Sequence, residues 1–287
     1  MKLTDLSAVK DLLSRYGIVM KKKYGQNFLI NEATPRKIAE AGASEGCAAL
    51  EIGPGIGCLT AELAAVAAKV VAVEIDPTLW PVLDETMVPY PNVKILHGDI
   101  LKTDLSALMR EEFAGFSEVR VCANLPYYIT SPILMYLLES GVPFTSITVM
   151  VQKEVADRLC AAPGSPEYGA ITAAVAWRGQ AKRCFVVAPG NFFPAPSVDS
   201  AVVRIDLFSA PPCEVTDEKL LFRVIRGAFG QRRKTLPNAL SAALGEFSKA
   251  EILAAVERAG FPAAVRGETL SVQDFAALTS ELTRGKD

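Results

Sequence analysis

The chain has one histidine, His97, among its 287 residues. A triad that cleaves esters or peptides needs a histidine as its base, and no second candidate exists beside this one, which reads as a structural strand residue just before Gly98. Cysteine is sparse and scattered: positions 47, 58, 122, 160, 184 and 213 form no C-x-x-C pair. That spacing excludes a disulfide scaffold or a zinc ribbon and suits reduced thiols in a cytoplasm. Long apolar runs are missing too. The best, "AAVAAKVVAV", is short of the roughly 20 residues a membrane span needs and is broken by Lys69. The opening "MKLTDLSAVKDLL" carries Asp5 and Asp11 within it, which excludes a signal peptide. No internal repeat and no low-complexity tract is present. Net charge is only −2, which by itself argues against a nucleic-acid partner.

The distribution of charge reverses that argument. Residues 219–234, "KLLFRVIRGAFGQRRK", hold six Lys/Arg and no acid, and residues 15–26, "RYGIVMKKKYGQ", hold four and no acid. The rest of the chain is therefore acidic, and segregated basic patches are what phosphate groups bind.

Half the residues are hydrophobic, enough for a substantial core. Strand-like runs "CAALEI", "VVAVEI", "NVKILHG", "EVRVCA", "SITVMVQ", "KRCFVVA" and "SAVVRIDLF" alternate with helical patterns near 32–42, 58–68, 78–86, 104–113, 131–140, 153–160 and 169–178. Alternation of this kind predicts an α/β fold with a parallel, doubly wound sheet, and the last two strands, with no long helix between them, predict an antiparallel edge. Ser131-Pro132 reads as an N-cap followed by proline. After "SAPPCE" the pattern becomes purely helical, over 217–229, 234–244, 248–259 and 271–283, with Asp217, Ser248 and Ser271 as N-caps. The expected organisation is a helical extension over 1–20, the α/β domain over 21–208 and a small all-helical domain over 209–287.

"ALEIGPGIGCLTAEL" puts Gly53, Gly55 and Gly57 at the turn from the first of those strands into a helix, where backbone approaches a ligand closely and a helix N-terminus favours polar groups. The second strand ends in Glu74, about twenty residues on, where a ribose is held, and the third ends at Asp99. A dinucleotide fingerprint requires a third glycine where Cys58 stands. The G-x-G-x-G turn followed by two acidic strand ends resembles the Rossmann-like S-adenosylmethionine-dependent methyltransferases. In that class the residues matching Glu74 and Asp99 hold the ribose hydroxyls and the adenine amino group, with Ile75 and Ile100 beside them.

The fourth strand ends in "NLPYY". "NLPY" resembles the [N/D]-P-P-[Y/F/W] motif of enzymes that methylate exocyclic amino groups. An adenine amino nitrogen gives its lone pair to the ring and is a poor nucleophile. The Asn124 side-chain oxygen and the carbonyl of Leu125 or Pro126 can accept its two hydrogens and turn the lone pair toward the methyl donor. Tyr127 offers a face for an extruded base, while Tyr128 reads as core packing.

In order along the chain stand "KKYGQNFL", "EIGPGIGCLT", "NLPYYITSPIL", "QKEVADRL", "PGSPEYGAIT", "FFPAPSVDSAVVR" and "FGQRRKTLPNAL". Together they resemble the ribosomal RNA adenine dimethyltransferase family, in its bacterial small-subunit branch, from about residue 20 to the C-terminus. That resemblance implies transfer of methyl groups from S-adenosylmethionine, with S-adenosylhomocysteine as product and no metal. The target is two adjacent adenosines near the 3′ end of 16S ribosomal RNA. It implies that Gln26, Asn27 and Leu29 close over the methionine end of the cofactor and that Asn124 completes its site. Phe192 would face the target base opposite Tyr127. RNA contacts would come from Lys21, Lys22, Lys23, Arg223, Arg226, Arg232, Arg233 and Lys234, with Lys219 on the same helix. A cytoplasmic monomer is expected. Ser197 and Pro237 depart from the family pattern, each removing one phosphate contact. The rival readings are a large-subunit adenine methyltransferase of the macrolide-resistance type and a non-catalytic RNA-binding assembly factor on the same fold.

Overall fold

A computed structural model describes residues 2–19 and 26–284. Lys21, Lys22 and Lys23, expected to meet RNA, lie outside the described residues. Helix α1 (Leu6–Arg15) begins at Asp5, whose carboxylate accepts the N–H groups of Ser7 and Ala8. Its apolar face, Val9, Leu12 and Leu13, is buried in one cluster with Leu59, Leu63, Val82 and Leu83. Arg15 and Tyr16 close the helix onto Glu85, through Nη2 at 2.8 Å and the phenol at 2.5 Å.

The chain then runs through β1 (Phe28–Leu29), α2 (Ala33–Gly42), β2 (Ala48–Ile52), α3 (Cys58–Val66), β3 (Lys69–Glu74) and α4 (Trp80–Thr86). There follow β4 (Val93–His97), α5 (Leu105–Glu112), β5 (Val119–Asn124), α6 (Thr130–Glu139), β6 (Ser146–Gln152), α7 (Lys153–Leu159) and α8 (Ala170–Arg178). Strands β7 (Gly179–Val187), β8 (Phe192–Phe193) and β9 (Ser200–Leu207) close this part. Seven strands form one sheet in the order β4-β3-β2-β5-β6-β9-β7, and β1 pairs with β8 in a short ribbon. β2 pairs in parallel with β3 on one side and β5 on the other, while β6 and β9 run antiparallel, and β7 lies beyond β9 at the edge. Strands β2, β3, β5 and β6 are almost wholly buried, the pattern of a sheet covered on both faces. The order in which strands are added reverses between β2 and β5, so their carboxyl ends flank the crevice where open α/β sheets bind ligands.

Helix α6 starts one residue before the expected cap. Ile129 occupies the N-cap without a side-chain bond, because the hydroxyl of Thr130 turns back to donate to the Pro126 carbonyl at 3.0 Å. Ser131 therefore lies in the first turn.

The remaining helices are α9 (Glu218–Gly230), α10 (Leu236–Ala243), α11 (Lys249–Arg258) and α12 (Val272–Thr283). Asp217, Ser248 and Ser271 cap α9, α11 and α12, the last two through reciprocal capping boxes with Glu251 and Asp274. α9 and α10 approach closely at Gly227, where an added Cβ would stand 2.8 Å from the Ala243 Cβ.

The backbone divides into two compact units, residues 1–156 with 181–207, and residues 157–180 with 208–287. One boundary falls beside the proline break at "SAPPCE". The other assigns α8 to the helical unit, and the cause is local chemistry. Trp177, fully buried, donates its indole N–H to Glu218 at 2.8 Å, and Arg178 pairs with the same carboxylate at 2.7 Å. The Tyr168 hydroxyl donates to the Leu270 carbonyl, and its ring meets Phe229 edge-on at 5.5 Å. Among the described residues no helix is long and apolar enough to cross a membrane, and no cluster of His, Cys, Asp and Glu is arranged to hold a metal ion.

Candidate active site

Four strand ends deliver polar groups to one cavity of the α/β unit. Its wall includes Glu51 and Gly53 at the end of β2, Glu74 and Ile75 after β3, Asp99 and Ile100 after β4, and Asn124 to Tyr128 after β5. Gln26, Asn27 and Leu29 come from the segment that enters β1. The sequence-predicted cofactor residues Gln26, Asn27, Leu29, Gly53, Gly55, Glu74, Ile75, Asp99, Ile100 and Asn124 all line it. Gly57, also expected there, does not line it.

The glycine turn is left-handed at all three positions, with φ of +69° at Gly53, +64° at Gly55 and +94° at Gly57. L side chains are strained there, and an added Cβ on Gly57 would also collide with the Met87 methyl. A Cβ on Gly53 would meet nothing, so there the backbone itself faces open cavity. Glu74 is 4% exposed and holds the turn, accepting from Gly55 N at 3.2 Å and from Asp76 N at 2.7 Å through different oxygens. Each oxygen keeps a lone pair for a ligand hydroxyl. Asp99 accepts from Leu101 N through Oδ1, and its Oδ2 has no partner among the described residues. Trp80 donates to the Glu74 carbonyl at 3.1 Å and stacks on His97, with ring centroids 3.9 Å apart, which gives the lone histidine the structural place expected of it.

Three residues that the motifs did not single out bear on the cavity: Glu51 lines it, while Asp76 and Ser200 hold lining residues from behind. Asp76, 1% exposed, accepts the Gln26 amide at 2.8 Å and both donors of Thr78, so it positions the Gln26 side chain at the cavity mouth. Ser200, fully buried at the start of β9, meets the Tyr127 hydroxyl at 2.7 Å. Glu51, 1% exposed, leaves Oε2 without a hydrogen bond. The strand pattern hides Glu51 among apolar neighbours, and only a charged residue in a wholly buried strand could have signalled it.

In the "NLPY" loop, the Asn124 amide donates to the Asn27 carbonyl at 3.4 Å, which leaves its side-chain oxygen as an acceptor. The Pro126 carbonyl already accepts from Ile129 N at 3.2 Å and from Thr130 Oγ1 at 3.0 Å. Between Leu125 and Pro126, the Leu125 carbonyl is thus the acceptor still open to a ligand, on a residue fixed by its own N–H to the Met150 carbonyl. Tyr128 is not core: it is 56% exposed and lines the cavity mouth, because the turn after Pro126 faces it outward. Phe192, by contrast, is only 3% exposed and does not line the cavity. Its pairing with Leu29 in the β1–β8 ribbon turns the ring into the core, so the structure does not bring it opposite Tyr127.

Burial pushes the Glu51 carboxyl up to about 8, with the Glu74 charge adding, and burial raises Glu74 in the same direction. An acid whose folded value exceeds its unfolded one stabilises the fold fully below the unfolded value, and that contribution is lost as pH rises through the folded one. Melting of the ligand-free protein is therefore expected to weaken by about 2 kcal/mol from about pH 6 to about pH 8, on the order of 5 °C. Calorimetric melts across that range check it, and a flat profile would remove Glu51 from the account.

In the helical unit the predicted RNA cations divide. Arg223 pairs with Glu246 at 2.6 Å. Arg232 donates to the carbonyls of Pro166 at 2.9 Å and Tyr168 at 3.2 Å, a structural clamp within the unit. Arg226 lies beside Arg223 on the cleft between α9 and α10. Arg233 and Lys234 are exposed, with no side-chain partner among the described residues.

A family model described as "Ribosomal RNA adenine dimethylase" matches residues 18–282. The chain is 49% identical over 276 residues to "Ribosomal RNA small subunit methyltransferase A" of Geobacillus thermodenitrificans, which covers 95% of this chain and 94% of that protein. It is 49% identical over 273 residues to the protein of the same name in Shouchella clausii, covering 94% and 92%. Among solved structures, a dimethyladenosine transferase from Plasmodium falciparum superposes with a TM-score of 0.70 at 27% identity, covering 87% of this chain and 95% of that one. The 23S rRNA methyltransferase ErmE gives 0.61 at 25% identity, covering 90% and 100%. With the glycine turn, the acidic strand ends and the "NLPY" loop gathered on one cavity, the chain belongs to the ribosomal RNA adenine dimethylase family.

Proposed function

We propose that the protein transfers methyl groups from S-adenosylmethionine to the N6 amino groups of two adjacent adenosines in the 3′-terminal hairpin of 16S ribosomal RNA, during small-subunit assembly. The observation that carries this reading is the Asn124–Tyr127 loop, placed on the same cavity wall as Glu74 and Asp99. Relatives near half identical over almost the whole chain, and named for the small subunit, support the choice of RNA.

The residues fit the cofactor on the structure's own terms. The left-handed glycine turn exposes backbone to the cavity, and Asp99 and Glu51 each leave a carboxylate oxygen without a partner. Glu74 would hold the ribose hydroxyls, Asp99 the adenine amino group with Ile75 and Ile100 on either side, and Gln26, Asn27 and Leu29 the methionine end. Bound S-adenosylmethionine supplies a methyl group already activated on a sulfonium. The chain's task is then to place the nucleophile. The Asn124 side-chain oxygen and the Leu125 carbonyl would accept the two amino hydrogens, so that the nitrogen lone pair leaves conjugation with the ring and is directed to the side where the methyl group would lie. Tyr127 stacks on the extruded adenine, its ring held by the bond to Ser200. Stacking of this kind is worth about 1–3 kcal/mol per base. After transfer the nitrogen is strongly acidic and loses its proton to water, so no protein base is required. In the helical unit, Arg233 and Lys234 are the cations best placed for phosphate, because their side chains are not committed within the described residues.

Radiolabelled S-adenosylmethionine offered with unmethylated small subunits, large subunits and their bare RNAs tests the reading. Label in dimethyladenosine from small-subunit material alone is the expected result. Label in large-subunit RNA would overturn the substrate assignment, and no label in any substrate would overturn the chemistry.

A further inference from the structure

Glu51 stands apart from the other acids of the cavity. It is 1% exposed, lines the wall, and among the described residues its Oε2 has no partner within hydrogen-bonding geometry. The Thr60 hydroxyl, from the first turn of α3, is likewise buried and outside that geometry, yet it lies near enough to Glu51 to offset part of the cost of ionising it. The titratable groups that feel Glu51 are Glu74 from β3, Cys58 from α3 and Cys122 from β5, and none can be a cation. Asp76 adds a further negative charge beside Glu74. Among the described residues lining the cavity there is no Lys, Arg or His. A carboxylate buried here would therefore be an isolated charge with two acids nearby, which is a far more costly state than the neutral acid. Burial and the Glu74 charge push its carboxyl up accordingly, to about 8.

A ligand with a fixed positive centre changes that balance, because it supplies the missing counter-charge inside the same low-dielectric space. We propose that Glu51 is protonated in the ligand-free protein and surrenders its proton to solvent when a cationic adenosyl amino acid enters the cavity, so that cofactor binding and proton release are one linked event. The proposal rests on the cofactor reading above. The exchange is balanced: the carboxylic O–H bond breaks, the proton passes to buffer, and the resulting carboxylate, on a residue of the cavity wall, pairs with the ligand's ammonium or sulfonium. The consequence for the protein is selectivity by charge. A neutral nucleoside of the same shape leaves Glu51 protonated and gains nothing from it, whereas a cationic one gains an ion pair shielded from water. Cofactor affinity consequently rises with pH across the range in which Glu51 ionises.

Titration calorimetry of the full chain near pH 7, in two buffers of different ionisation enthalpy, measures the protons released directly. S-adenosylmethionine, S-adenosylhomocysteine and the neutral 5′-methylthioadenosine would be compared. The expected result is release of close to one proton per site with S-adenosylmethionine and none with 5′-methylthioadenosine. Release with S-adenosylhomocysteine as well would identify the ammonium as the partner, and release with S-adenosylmethionine alone the sulfonium. Glu51→Gln, which copies the neutral acid in shape and should fold, is expected to bind more weakly, to abolish the release and to flatten the pH dependence of melting. Binding enthalpies independent of buffer in the unsubstituted protein, or the same release from Glu51→Gln, would overturn the proposal. Absence of binding by all three ligands would overturn the cofactor reading, and this linkage with it.

Discussion

Replacing Asn124 by Ala lowers the single-turnover rate of methyl transfer by on the order of 10²–10³-fold, the range found when one preorganised hydrogen-bonding group is taken from a transition state. Cofactor affinity and folding stay nearly unchanged. Among the described residues, the only bond the side chain makes is the long one to the Asn27 carbonyl at 3.4 Å, near the limit of a useful hydrogen bond, so its loss disturbs little else. The contribution removed is orientation: with the Leu125 carbonyl alone, the amino group is free to lie flat in conjugation with its ring. Asn124→Asp separates the acceptor from the amide, since a carboxylate can still accept a hydrogen but cannot donate to Asn27 and is repelled by that carbonyl. Its rate should fall between those of the two other forms. Rapid-quench measurement with saturating RNA checks both variants, and full activity of Asn124→Ala would remove the residue from the mechanism.

The second large effect is electrostatic. Arg233→Glu combined with Lys234→Glu weakens binding to small-subunit particles by on the order of ten- to a hundredfold at moderate salt, and makes the dependence of log affinity on log salt shallower by about two. The reasoning depends on which cations are spare. Arg223 is neutralised by Glu246, and Arg232 is occupied by two backbone carbonyls, so reversing Arg232 would damage the helical unit and confuse loss of contact with loss of fold. Arg233 and Lys234 are exposed neighbours without that structural duty. Sedimentation or filter binding over a salt series, with a melting curve as control, distinguishes the two. An unchanged slope would show that these side chains meet no phosphate.

Much of this arrangement is legible in the residues alone. Four strands of the sheet, β2 to β5, announce themselves as runs that lead into Gly53, Glu74, Asp99 and Asn124, because a doubly wound sheet spends its polar residues at the carboxyl edge. The caps Asp217, Ser248 and Ser271 are legible because capping is a local bond. Non-local choices are harder to read. Tyr127 and Tyr128 are adjacent in sequence, yet the first meets Ser200, 73 positions away, and the second is 56% exposed. Phe192 looks like a stacking aromatic until its pairing with Leu29 fixes which way the ring turns. That Pro126 spends its carbonyl on the next helix, leaving Leu125 as acceptor, depends on the rotamer of Thr130. A run of six cations cannot reveal which of its arginines serve the fold, since Glu246 and the carbonyls of Pro166 and Tyr168 lie elsewhere in the chain.

The helical unit is built from two separate stretches of chain, 157–180 and 208–287. Anyone wishing to exchange it between relatives cannot cut once. A graft beginning at Phe208 would arrive with Glu218 deprived of both Trp177 and Arg178, and with Phe229 deprived of Tyr168. The unit of modular exchange, in the laboratory or in evolution, is therefore a pair of crossovers in the same gene. A chimaera made with only one of them inherits two mismatched half-surfaces.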